Sequence, residues 1–151
     1  LSACEERQLW DWALELVNDM QMRSCEPNPE SYTAAISTCE ESKRWEFGLA
    51  LLRSGQEVRL PPAVTVYSAA LSACEKGFQA ESALGLLSEM RGLWLQLDVV
   101  AYNAATSALA RGQSWRPSLA LLAALRAAGL APTLATRSAE ASACEAGGHW
   151  R

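Results

Sequence analysis

The stretch Val64–Asp98, VTVYSAALSACEKGFQAESALGLLSEMRGLWLQLD, decides the fold. Val64, Tyr67, Leu71 and Cys74 recur at steps of three or four residues, the spacing of one face of an α-helix. Gly77 then breaks the pattern. A second run sets Ala83, Leu86, Leu87 and Met90 on one stripe, and a short link ends the stretch. The pattern predicts two antiparallel helices, neither of which buries its apolar stripe alone.

The same pattern returns along the chain. Cys4, Cys39, Cys74 and Cys144 are spaced by 35, 35 and 70 residues, and Leu109 stands at the missing place. Tyr32, Tyr67 and Tyr102 share the period. So do Trp10, Trp45, Trp115 and Trp150, with Ala80 in the gap, and Pro27, Pro62 and Pro132, with Leu97 in the gap. The pairs Leu16–Val17, Leu51–Leu52, Leu86–Leu87 and Leu121–Leu122 complete the frame. A fixed period held by several residue types is the mark of stacked supersecondary units that bury a continuous core between neighbours. Complete units are expected at 29–63, 64–98 and 99–133. Residues 1–28 read as the end of one unit and 134–151 as the first helix of another. Position 83 and its equivalents are small (Ala13, Gly48, Ala83, Ser118), which suits close helix approach. The chain begins without Met and both ends cut through a unit, as expected of a fragment of a longer array.

Composition agrees with a folded chain, and the repeat reads as all-α. Of 151 residues, 50% are hydrophobic and 20% charged, too apolar for disorder. The longest apolar run, LALLAALRAAGLA, is broken by Arg126 and Gly129 and falls short of the roughly 18–20 residues of a membrane span. No secretory signal is visible, and with an odd number of Cys the expectation is reduced thiols.

Each register Cys lies on an apolar stripe seven residues after the Tyr and reads as a small core hydrophobe, as Leu109 in the same place implies. Equivalent positions on stacked helices are about 8–10 Å apart. A disulfide needs Cα atoms within about 7 Å, and a zinc site needs sulfurs at about 2.3 Å from one ion. Cys25 sits in a link and is the thiol expected to oxidise first. There is no Gly-rich phosphate loop, zinc-protease motif or Cys-x-x-Cys pair, and the single His149 has no evident catalytic partner. An enzyme is not expected, and no cofactor or metal is implied.

The 35-residue two-helix unit, with an early Tyr and a late Pro, resembles the pentatricopeptide repeat. VVAYNAATSALARG (Val99–Gly112) is similar to that family's Val-x-Tyr-Asn opening, ALGLLSEM (Ala83–Met90) to its second helix, and AAGLAP (Ala127–Pro132) to its closing Gly-x-x-Pro turn. The tetratricopeptide repeat, with a period of about 34 and a Trp-x-x-Leu-Gly-x-x-Tyr helix, fits less well, since Trp here opens the second helix. The register Cys and Trp are departures, because the family usually has Leu there.

The resemblance implies an α-solenoid of stacked two-helix repeats with right-handed superhelical tendency. It also implies sequence-selective binding of single-stranded RNA, one base per repeat, in chloroplast or mitochondrial RNA processing, stability, editing or translation. The residue after the Tyr and the last residue of the unit would read a base edge: Thr33 with Ala63, Ser68 with Asp98, Asn103 with Thr133, Ser138 alone, and Asn28 closing the first partial unit. Ser68 with Asp98 would favour guanine, and Asn103 a pyrimidine. Val100 would sandwich bases, a place where Glu30, Thr65 and Ala135 depart from the pattern. Lys76 and Arg111 would approach phosphate, where Glu6, Glu41 and Ala146 depart. Taken alone, these Thr, Ser and Asn residues read as exposed helix positions or first-turn caps.

Charge pulls the other way. The chain carries a net −4, and phosphate contacts supply most nucleic-acid affinity. Only residues 99–133, with Arg111, Arg116 and Arg126 and no acid, are locally basic. Glu40, Glu75 and Glu145 follow the base-reading position by seven residues, on nearly the same helix face. They are expected either to border the groove and repel phosphate or to end a solvated helix, as the acid pairs Glu5–Glu6 and Glu40–Glu41 suggest. Weak RNA binding by this chain alone is the expectation. A protein-binding helical scaffold is the alternative that the acidic balance favours.

Overall fold

The structure, a computed structural model, describes residues 11–12, 15–19, 22, 28–112 and 114–147. The register members Cys4, Trp10, Ala13, Pro27 and Trp150 lie outside these residues, as do Glu5, Glu6, Cys25 and His149. Seven helices follow one another from residue 29: α1 (Pro29–Glu41), α2 (Trp45–Glu57), α3 (Val64–Lys76), α4 (Ala80–Gly92), α5 (Val99–Arg111), α6 (Trp115–Ala127) and α7 (Leu134–Gly147). Residues 11–12, 15–19 and 22 are also helical. None of the described helices is long and apolar enough to cross a membrane.

The helices start where the chain supplies caps. Asn28 accepts a hydrogen bond from the Glu30 amide at 2.9 Å, and Pro29 opens α1 with its φ already set for a helix. Asp98 accepts from the Ala101 amide at 2.8 Å and caps α5. The helices end in a common way. The Cys39, Cys74 and Leu109 carbonyls accept from the amides of Arg44, Gln79 and Ser114, five residues on. Gly55, Met90 and Leu125 do the same for Leu60, Leu95 and Leu130, whose side chains pack on the core. This is the Schellman arrangement, which needs one left-handed residue.

That residue is Phe78 (φ 56°) rather than Gly77, which stays near the helical region with φ −85° and ψ 0°. The helix ends at Lys76, where the break at Gly77 predicts, and the left-handed residue follows the glycine. Gly77 is small for another reason: a Cβ there would come within 2.2 Å of the Trp45 ring, which lies against it. At the unit ends the left-handed place falls to Arg59, Trp94 and Gly129, with φ of 58°, 57° and 72°. Only Gly129 takes it without steric cost.

Trp94 is 92% exposed, so its removal forfeits no burial. The left-handed conformation costs an L-residue about 1–2 kcal/mol, and the extra freedom of unfolded glycine takes back about 0.5–1 kcal/mol. Trp94→Gly is expected to stabilise the chain by about 0.5–1 kcal/mol, read as a higher urea midpoint at unchanged slope. An unchanged or lower midpoint contradicts the assignment.

The helices form two layers. The inner helices α1, α3, α5 and α7 stand side by side, each touching the next. Each outer helix fills the groove between two inner ones: α2 contacts α1 and α3, α4 contacts α3 and α5, and α6 contacts α5 and α7. The result is an α-solenoid. Because α3 is gripped by α1, α2, α4 and α5, its burial exceeds the single stripe that periodicity indicates. Val66, Ser68, Ala69, Ala70 and Ala73 are buried along with Tyr67, Leu71 and Cys74, while Val64 is only half-buried. The alanines let the inner helices approach.

Ala83 and Ser118 are fully buried at the small position. Gly48 would hold a methyl at ordinary contact distance from Ala73 and Ile36. Cys39 and Cys74 have no exposed surface, and burial pushes the Cys74 thiol up to about 11 and raises that of Cys39 as well. Cys144, on α7, is half-buried.

Candidate nucleic-acid interface

The inner helices present one residue each just after the register Tyr. Tyr32, Tyr67 and Tyr102 are buried, so they fix the turn on which Thr33, Ser68 and Asn103 sit. Thr33 and Asn103 are half-buried, Ser68 is buried, and Ser138 is exposed on α7. The last residue of each unit is the N-cap position of the next inner helix, which places Asn28, Ala63, Asp98 and Thr133 at helix starts.

The four places differ. Ser68 Oγ donates to Asp98 Oδ1 at 3.3 Å across the unit, and the same oxygen accepts from the Ala101 amide. Here a serine on one inner helix and an aspartate at the start of the next meet. Thr33 does not work this way. Its hydroxyl donates to the Pro29 carbonyl at 2.8 Å and meets Thr65 Oγ1 at 3.5 Å, while Ala63 is a cap position with no side-chain hydrogen bond. The Thr133 hydroxyl accepts from the Thr136 amide at 3.4 Å and lies 3.1 Å from the Thr136 hydroxyl, so it is engaged at the start of α7. Asn103 Oδ1 is buried with no hydrogen-bond partner. Buried acceptors are rarely left so. Val100 is 57% exposed on the first turn of α5, and Thr65 and Glu30 are exposed at the equivalent places.

Two turns further along the inner helices lies a line of charge. Lys76 Nζ is 3.0 Å from Glu40 Oε1, across α3 and α1. Glu75 is half-buried, faces Arg111 of α5, and takes a hydrogen bond from Ser107. Burial raises its carboxyl above the usual range, opposed by Arg111 and by that hydrogen bond. Arg111 also lies over the Phe78 ring, 5.7 Å from its centre. Glu40 and Glu75 are therefore not solvated helix ends. Each reaches one inner helix onward to a cation 36 residues later. Glu145 on α7 is exposed.

One further column bears on the site. Ser37, Ser72, Ser107 and Ser142 keep the 35-residue period and stand between the reader and the glutamate, four residues after the one and three before the other. Ser107 holds Glu75. Ser107 and Ser142 line a cleft of about 160 Å³ with Glu75, Ala110, Arg111 and Ser138. The signal was present in the repeat, but serine is common enough to be ignored without a partner in view.

No protein-family model and no curated protein matches the chain. Solved structures do. Two structures of the pentatricopeptide repeat protein PPR10 in complex with an 18-nt psaJ RNA element align at a TM-score of 0.72 and 18% identity, over 92% of this chain and 20% of theirs. PPR10 from maize aligns at a TM-score of 0.68 and 20% identity, over 87% of this chain and 19% of that one. The chain thus spans about a fifth of the length of these proteins. At such identity the likeness concerns the path of the backbone: the chain has the fold of a stretch of pentatricopeptide-repeat solenoid.

Proposed function

We propose that the chain is a pentatricopeptide-repeat array that binds single-stranded RNA and selects bases along its inner helices. The observation that carries this reading is the contact of Ser68 with Asp98. Two polar side chains of one unit, on its first helix and at its last residue, meet at the edge of the inner layer, at the positions to which the resemblance assigns base reading. Asn103, with an acceptor that has no partner, supports the same face. Side chains of this kind read the edges of unstacked bases. Val100 is exposed where a base would be sandwiched. Thr33 with Ala63 and Asn103 with Thr133 are weaker readers in this proposal, since Ala63 offers no hydrogen bond and Thr133 is engaged at its cap. The organellar role in RNA processing, stability, editing or translation belongs to the proposal and rests on the resemblance and on the likeness to PPR10.

The test is selection from randomised single-stranded RNA with the full chain. Guanine is expected at the base facing Ser68 and Asp98. Ser68→Asn is expected to shift that one position toward a pyrimidine, with discrimination changing by about tenfold, the size of one good polar contact pair. An enriched motif that Ser68→Asn leaves unchanged removes Ser68 from the reading. Absence of any enriched sequence favours the second reading, a protein-binding scaffold. The observation behind that alternative is that Lys76 is paired with Glu40 at 3.0 Å and that Arg111 shares a cleft with Glu75.

A further inference from the structure

We propose that Glu40 and Glu75 compete with RNA phosphate for Lys76 and Arg111, so that RNA enters this groove only by displacing two carboxylates. The inference rests on the RNA-binding reading above and deepens it: the two glutamates set how tightly, and under which conditions, the array holds RNA.

The geometry is specific. Each cation expected to approach phosphate already faces a carboxylate from the preceding inner helix. For Lys76 the partner is Glu40 at 3.0 Å. For Arg111 it is Glu75, which Ser107 also holds. Both acids belong to the period that places the base readers, seven residues after Thr33 and Ser68. They therefore recur at the same depth in successive repeats, as a phosphate backbone would.

The Glu40–Lys76 pair adds little to the fold. Its side chains are 22% and 45% exposed, and ion pairs at such places are worth about 0–1 kcal/mol. A pair that is cheap to break can be displaced by a ligand. Until it is displaced, it removes the counterion release from which nucleic-acid affinity comes. Glu75 is the more effective competitor because it is half-buried and lines one cleft with Arg111. The charged groups acting on it are Glu40 of α1, Lys76 of its own helix and Arg111 of α5. From α7 it faces the uncharged Ser138 and Ser142. Desolvation already favours its neutral form. Phosphate at Arg111 removes the one cation from α5 that holds the charge and brings a like charge near. RNA binding is thus coupled to proton uptake at Glu75, and acidification favours the bound state.

The experiment measures the binding of a fluorescein-labelled pool of short single-stranded RNA to three forms of the full chain: wild type, Glu40→Gln/Glu75→Gln, and Glu46→Gln/Glu57→Gln. Glu46 and Glu57 are exposed on the outer helix α2, so both double variants change net charge equally. Glutamine keeps the shape of glutamate, and a thermal melt of each variant verifies folding. The groove variant is expected to bind about tenfold more tightly at physiological salt, with a salt dependence steeper by roughly 0.7 per freed cation. The α2 variant is expected to stay within about twofold of wild type, because its charges are exposed on the outer layer and screened by salt. Wild-type affinity is expected to rise as pH falls from about 7.5 to about 5.5, and the groove variant, which lacks the Glu75 carboxyl, to flatten that rise.

Equal gains in the two double variants would show a general charge effect and overturn the inference alone. Measurable wild-type binding that the groove variant leaves unchanged would do the same. If neither wild type nor the groove variant binds at low salt, the inference and the RNA-binding reading fail together.

Discussion

Truncating Leu71 to alanine is expected to destabilise the chain by about 2–5 kcal/mol. Leu71 has no exposed surface and sits in the middle of α3, the inner helix held between two outer and two inner neighbours. The cavity left by the lost carbons cannot collapse easily, because the surrounding backbones belong to four different helices. Stability in such arrays is close to a sum of unit and nearest-neighbour terms, so damage at the central unit also weakens the coupling of its two sides. The expected result is a urea midpoint well below wild type, with the single transition broadening or dividing. An unaltered midpoint would mean that Leu71 is not at a closed helix junction.

Gly77→Val is expected to cost about 1–3 kcal/mol by overpacking. An added Cβ would lie 2.2 Å from Trp45 Cδ1 and 2.4 Å from Cγ, so either the indole or the end of α3 must move. The equivalent contact one unit on is as tight: a Cβ on Gly112 would lie 2.6 Å from that of Ala80. At these two helix ends glycine makes room for the residue that opens the preceding outer helix, tryptophan in one case and alanine in the other, while α1 ends on Ser42. A double-mutant cycle with Trp45→Ala separates this contact from a general effect of helix-end substitution. Trp45→Ala is expected to recover much of the loss, with a coupling energy of about 1 kcal/mol or more. Additive losses would refute the contact.

Several features of the chain were legible because they depend on residues close in sequence. Helical spacing of Tyr67, Leu71 and Cys74 follows from backbone geometry within two turns. The 35-residue period made each weak local signal repeat, and so located the helix pairs and the buried column of Cys39, Cys74 and Leu109. Gly77 marks the end of the inner helix in the sequence, but which residue turns left-handed was not legible. Glycine is the usual occupant of that conformation, but here Phe78 holds it while Gly77 makes room for Trp45, a contact 32 residues away. The broad burial of α3 was also out of reach. Periodicity shows which face of a helix is most apolar. It does not show that small residues such as Ala69, Ala70 and Ala73 are enclosed by further helices.

The candidate site divides along the same line. The sequence alone determined the fold class, the unit and the positions on the inner helices where polar side chains recur. It could also put Glu40 and Glu75 on the same face as Thr33 and Ser68, since seven residues are nearly two helical turns. Only the tertiary structure decided what those side chains meet: Ser68 with Asp98, Glu40 with Lys76, and Glu75 with Arg111 and Ser107. Those partners come from the offset and crossing of neighbouring inner helices. That offset is set by the summed packing of four surrounding elements and appears in no single stretch of the chain.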